Sequence, residues 1–221
     1  MKKYFYTKYF EFSKTGNFIL FLFISIFAII SNKYLDYFYY NETVVYNTYY
    51  HSLGIDRIKE IVNSKNKLEW FVLVLIPFTL IIKLFYFSIC ISIASVFIID
   101  KIEFRYNFGI LLKAEIIFSV MLLVKLFYIE LFSGVKTLDD LNIIPFSLLN
   151  SSNRKSIPNY LQYLVQLINI WEAIYGIFII LLIKNRYKIP VINATKIYLF
   201  GYGVGLLLWA FFIMYLTIQF S

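Results

Sequence analysis

WFVLVLIPFTLIIKLFYFSICISIASVFII, residues 70–99, is a run of thirty residues in which Lys83 is the only charge. About 20 mostly apolar residues suffice to cross about 30 Å of hydrocarbon, whereas this run as a straight helix reaches about 45 Å at about 1.5 Å per residue. It therefore spans a membrane with length to spare. Either it tilts and protrudes, or it bends at Pro77, whose ring and missing amide permit a kink. Working outward, four further runs bounded by charge have the same character: 17–31 (extendable to 35), 108–132, 160–183 and 197–220. A chain in hydrocarbon must satisfy its backbone internally, so each run reads as helix. The expected fold is all-α, a polytopic integral membrane bundle of about five transmembrane helices. It divides into an N-terminal anchor helix with an outer polar and aromatic loop (1–69) and a four-helix transmembrane region (70–221).

Composition excludes a soluble domain. The 221 residues are 61% hydrophobic and 15% charged, with a mean hydropathy of +0.73. The 24 Phe, 20 Tyr and 17 Lys against 4 Arg are what an AT-rich genome produces, so this bias says little about function. A net charge of +8 suggests nucleic acid only where basic residues share one solvated face. Here they punctuate apolar runs, so no nucleic-acid partner is expected; the partners are the lipid bilayer, other integral membrane proteins and a second copy of the chain. Cys90, the only cysteine, lies within an apolar run and reads as core packing.

Orientation follows from Lys and Arg on alternate sides. With the amino terminus inside, the inner stretches hold ten (Lys2, Lys3, Lys8, Lys14, Lys101, Arg105, Lys184, Arg186, Lys188, Lys196). The longer outer stretches hold eight (Lys33, Arg57, Lys59, Lys65, Lys67, Lys136, Arg154, Lys155). This bias predicts a cytoplasmic amino terminus, in a bacterial inner membrane. The lysines ahead of 18–30 resemble a signal peptide, but Ala28-Ile29-Ile30 lacks the small residue wanted at a cleavage site, so a retained anchor is expected.

The outer loop 32–69 carries the ring cluster Tyr34, Tyr37, Phe38, Tyr39 and Tyr40, suited to a headgroup boundary, and the only histidine, His51. A lone histidine is no metal site. Residues 52–63 approximate an amphipathic helix through Leu53, Ile55, Ile58, Ile61 and Val62. The second outer loop, 133–159, reads as a connector with a short helix, with Pro158 just ahead of the fourth span. Within the spans, a charge at the bilayer centre costs about 2.5–3.5 kcal/mol, which directs attention to Lys83, Lys113, Glu115, Lys125, Glu130 and Glu172. Lys113 and Glu115 fall near the inner end of the third span and Glu130 near its outer end. Lys83 and Glu172 lie deeper, about 20 and 18 Å from the outer boundary, and Lys125 about 10 Å.

A pair between Glu172 and Lys83 or Lys125 is expected, supported by Gln162, Gln166 and Asn169, whose spacing of four and three places them on one helical face with Glu172. This polar stripe reads either as an ion path or partner surface, or as a hydrogen-bonded pair that fixes helix packing. Gly201 and Gly205 form a small-xxx-small face, read as packing within the bundle or between copies. Asp139-Asp140 reads as a solvated acidic pair. No nucleophile with its base, phosphate loop or ligand cluster is present in the sequence, so neither an enzyme nor a metal or other cofactor is expected.

The Pro77-bearing second span, the close span pair around 101–109, Leu167-Ile168-Asn169-Ile170-Trp171-Glu172, Lys184 and Asn193-Ala194-Thr195-Lys196 together resemble the Yip family of multi-spanning membrane proteins, over about two thirds of the chain. The resemblance implies a scaffold, the role of eukaryotic members in vesicle trafficking, with no catalytic residues to carry over. The long aromatic outer loop departs from that pattern. Two functions are thus in view: a non-enzymatic scaffold or accessory subunit that binds membrane proteins, as in an export or transport complex, or a small transporter or channel component using Lys83, Lys125 and Glu172.

Overall fold

The computed structural model describes residues 14–50, 53–149, 154 and 156–220. His51, Lys2, Lys3, Lys8 and Lys155 lie outside the described residues. Among the described residues the fold is all helical, with one isolated bridge between Ser147 and Asn169 and no strand. Three stretches of the described residues are long and apolar enough to cross a membrane: Thr15–Tyr39, Leu73–Ile99 and Val191–Phe220.

Helix α1 (Lys14–Tyr39) is longer than the sequence suggested and carries Tyr34, Tyr37, Phe38 and Tyr39 of the aromatic cluster in its last turns, with Tyr40 just beyond it. The outer loop is not a loop. After α1 comes α2 (Glu42–Tyr49), opened by Asn41, whose side chain accepts from the Val44 amide at 3.0 Å. The 45-residue helix α3 (Ile55–Ile99) follows, about 67 Å long at about 1.5 Å per residue. Its first turns include most of the expected amphipathic segment, which is therefore not separate. The 69/70 boundary falls inside this helix. Ile58 and Val62 on α3 bury against Val45 of α2, with Leu138 alongside, forming a small satellite core beyond the apolar stretch. Pro77 sits within a continuous helix.

Asp100 ends α3 in the left-handed conformation (φ 52°), and only residues 100–103 separate it from α4 (Phe104–Ala114). Glu115 joins α4 to α5 (Ile116–Tyr128) while keeping right-handed angles (φ −58°, ψ −17°), and a π-helical turn, Ile129–Ser133, closes the stretch. The third apolar run thus begins four residues earlier than expected. A short α6 (Leu138–Leu141) is opened by a Thr137/Asp140 capping box.

The fourth run is not one helix. Helix α7 (Asn159–Leu167) stops at Ile168 (ψ 86°), and Asn169 in extended geometry caps α8 (Ile170–Tyr187). The freed backbone groups are met by the preceding connector: the Leu148 amide donates to the Ile168 carbonyl at 3.1 Å and the Ile170 amide to the Phe146 carbonyl at 3.4 Å. The Trp171 indole N–H donates to the Pro145 carbonyl at 2.9 Å. A break in a packed helix needs such partners for the backbone groups it frees. The chain ends with α9 (Val191–Ile197), a π-helical turn Tyr198–Gly203 and α10 (Val204–Phe220), continuous in direction.

One apolar core joins the helices. Leu84, Phe87 and Ile91 of α3, Ile110, Leu111 and Leu112 of α4, Tyr175, Ile179 and Ile183 of α8 and Tyr202 of the π turn are almost wholly buried, and Ile24 of α1 joins them. Gly201 and Gly205 set the closest approach: a Cβ on Gly201 would meet the Ile91 Cα at 2.8 Å, and one on Gly205 the Cys90 sulfur at 3.0 Å. The small-residue face is therefore spent on α3 within the chain.

Candidate functional site

Two polar clusters are buried along α3. Near its carboxyl-terminal end, the Ser92 hydroxyl accepts from the Asn107 side-chain amide at 2.9 Å, and the Tyr187 hydroxyl donates to the Asn107 side-chain oxygen at 2.9 Å. Ser88, Ser92 and Ser95 return their hydroxyls to carbonyls one turn back. Below them Arg186 lies 3.5 Å from Glu103 and stacks its guanidinium 3.5 Å from the centre of the Tyr106 ring. Through Asn107, which bonds both Ser92 and Tyr187, this cluster ties α3, α4 and α8 together.

The second cluster contains the unusual charges. The Lys83 ammonium sits 2.9 Å from Glu115 Oε1 and 3.2 Å from Oε2, and the Tyr175 hydroxyl donates to Oε1 at 3.0 Å. Glu115 is almost buried, its side chain 5% exposed, while Lys83 is 34% exposed towards a cavity. The Lys83 ammonium also lies 4.1 Å from the centre of the Phe118 ring, so an aromatic face shares its charge. Lys83 therefore pairs with Glu115 and not with Glu172, and Lys125 does not reach Glu172 either. The reason is the early start of the third run at Phe104, which moves Glu115 from the boundary to a depth that faces Lys83. Reading the short link 100–103 as the whole turn would have found it, because Glu115 then falls about 17 Å into a helix at about 1.5 Å per residue.

Glu172 stands apart from that pair. It lies in the first turn of α8, where its own amide donates to the Asn169 side-chain oxygen at 2.8 Å, and the positive end of the helix favours an acidic side chain. The Tyr202 hydroxyl, presented by the π turn, donates to Glu172 Oε2 at 3.0 Å. Among the described residues Oε1 has no hydrogen-bond partner. Tyr175 and Tyr202, with ring centres 5.3 Å apart, place the two carboxylates on neighbouring tyrosines. Neither tyrosine was singled out from the sequence, since a ring within an apolar run reads as core.

The polar stripe of the fourth run does not form one face, because the helix breaks within it. Gln162 turns outward to the Arg154 and Ile157 carbonyls, and Gln166 donates to the Asn142 carbonyl at 3.1 Å. Asn169 is a helix cap. Lys125 is half-buried on α5 and meets no carboxylate among the described residues. Glu130, in the π-helical turn after α5, accepts from the Tyr34 hydroxyl of α1.

Between α1, α3, the α4–α5 stretch, α7 and α10 lies a cavity of about 510 Å³. Its wall is apolar and aromatic, including Leu80, Phe118, Tyr163, Leu206 and Trp209, and its polar groups are Lys83, Glu115, Glu172 and Tyr202 together with Thr79 and Ser119. Largely apolar walls with a few converging polar groups are the anatomy of a small-molecule site. No group of three or more metal-ligating side chains occurs among the described residues. No family model matches the chain, and neither a curated protein nor a solved structure is detectably similar to it.

Proposed function

We propose that the chain is a five-span integral membrane protein that binds a small amphipathic molecule in the cavity beside Lys83, Glu115 and Glu172, and serves as a transport component. The spans are α1, the apolar part of α3, the stretch 104–133, α7 with α8, and 191–220, with the amino terminus inside. The observation that carries this reading is the cavity itself, where Lys83, Glu115 and Glu172 line a largely apolar chamber. Charges needed only for packing would be sealed, yet both Lys83 of the Lys83–Glu115 pair and the separate Glu172 line the chamber. The helix break at 168–169 fits the same role, since discontinuous spans commonly build binding sites at membrane depth.

A scaffold or accessory subunit is the second reading, and the satellite core of Val45, Ile58 and Val62 favours it by giving the outer side a folded surface. Gly201 and Gly205 do not support it, being used on α3. Purification in mild detergent separates the two. The transport component is recovered without a stoichiometric membrane partner, alone or as a homo-oligomer; a scaffold brings such a partner with it.

A further inference from the structure

The cavity's charge is not balanced. Lys83 lies within hydrogen-bonding distance of both oxygens of Glu115, so that pair is neutral as a unit. Glu172 is the remaining acid, and its Oε1 has no protein partner among the described residues while its side chain lines the chamber. Tyr202 donates to it, and the rings of Tyr163, Trp209, Phe118 and Tyr86 line the same chamber. Aromatic faces attract cations and apolar bodies alike, and a desolvated carboxylate strengthens the attraction.

Resting on the cavity reading above, we infer that the occupant is a lipophilic organic cation, an ammonium-type or comparable positive centre on an apolar body, with Glu172 as its counter-charge. A neutral lipid tail would fill the apolar wall but leave Glu172 unmatched. An anion would meet that carboxylate directly, because Lys83 is already engaged by Glu115. The inferred class therefore differs from both in sign of charge and not in shape.

Two probes of nearly identical shape test this: tetraphenylphosphonium, a cation, and tetraphenylborate, an anion. Each is titrated by calorimetry into the full chain in lipid nanodiscs, with empty nanodiscs subtracted. The cation is expected to bind at least tenfold more tightly than the anion, and Glu172→Gln to remove that preference. Cation binding is also expected to weaken at least tenfold in the double variant Leu80→Trp/Leu206→Trp, which fills the chamber. Equal affinities that both fall in the filled variant would overturn the cation inference while leaving a cavity site. Tighter anion binding would overturn it too. Binding of neither probe, or binding indifferent to the filled variant, would overturn both the inference and the cavity reading. Because the wild-type comparison alone decides the sign of charge, the test stands even if Glu172→Gln fails to fold.

Discussion

Replacing Lys83 by Met removes the cation that faces Glu115 and leaves a carboxyl only 5% exposed with the Tyr175 hydroxyl as its remaining bond. Stranding one member of a buried pair costs about 3–5 kcal/mol, and the partial exposure of Lys83 places this variant at about 3 kcal/mol. Glu115→Met leaves the ammonium beside the Phe118 ring and facing the cavity, so its loss is smaller, about 1–2 kcal/mol. The double variant Lys83→Met/Glu115→Met removes both charges and substitutes apolar groups of similar length. Its expected cost is below about 1 kcal/mol, because swapping a whole buried pair for hydrophobic residues is often neutral. The coupling is then about 3–5 kcal/mol, read from unfolding in mixed micelles with increasing denaturing detergent, followed by circular dichroism. Single-variant losses that add in the double variant to within about 0.5 kcal/mol would refute the pairing, since that is how independent sites behave.

Three further outcomes follow from the packing. Gly201→Ala places a Cβ 2.8 Å from the Ile91 Cα, a backbone atom, and is expected to cost about 1–3 kcal/mol in the same unfolding assay without altering oligomeric state. Asn169→Ala removes the cap of α8 and is expected to cost about 1 kcal/mol, with Asn169→Asp retaining most of the stability. Asn107→Leu strands the Tyr187 hydroxyl and should cost about 1–3 kcal/mol. A second change, Tyr187→Phe, is expected to recover part of that loss.

The membrane character was legible because hydropathy is summed over many residues, and no single position decides it. Segment ends were less legible. Residues 40–69 read as a loop because Asn, Lys and Glu interrupt the apolar pattern, yet Asn41 is a cap and the charges of α3 lie on a helix that extends past the apolar stretch. The candidate site was half legible. Lys83 and Glu172 stood out because charge in hydrocarbon needs a reason, and both line the cavity. Their pairing with each other failed on geometry that no local pattern encodes: the Phe104 start places Glu115 opposite Lys83, and the break at Ile168 redirects Gln162 and Gln166. Helical spacing predicts shared faces only while the helix continues. Tyr175 and Tyr202 escaped notice because a phenol reveals its polar role only once its partner is placed.

Whether the chamber holds a molecule is the most direct test of a binding cavity in this fold. Native mass spectrometry of the full chain, released gently from its membrane, compares the wild type with Leu80→Trp/Leu206→Trp and with Ile93→Trp, a change on an outward-facing surface of α3. The expected result is a small adduct on the wild type and on Ile93→Trp that the filled variant has lost. Identical adducts on all three, or none on any, would contradict a binding cavity beside Lys83, Glu115 and Glu172.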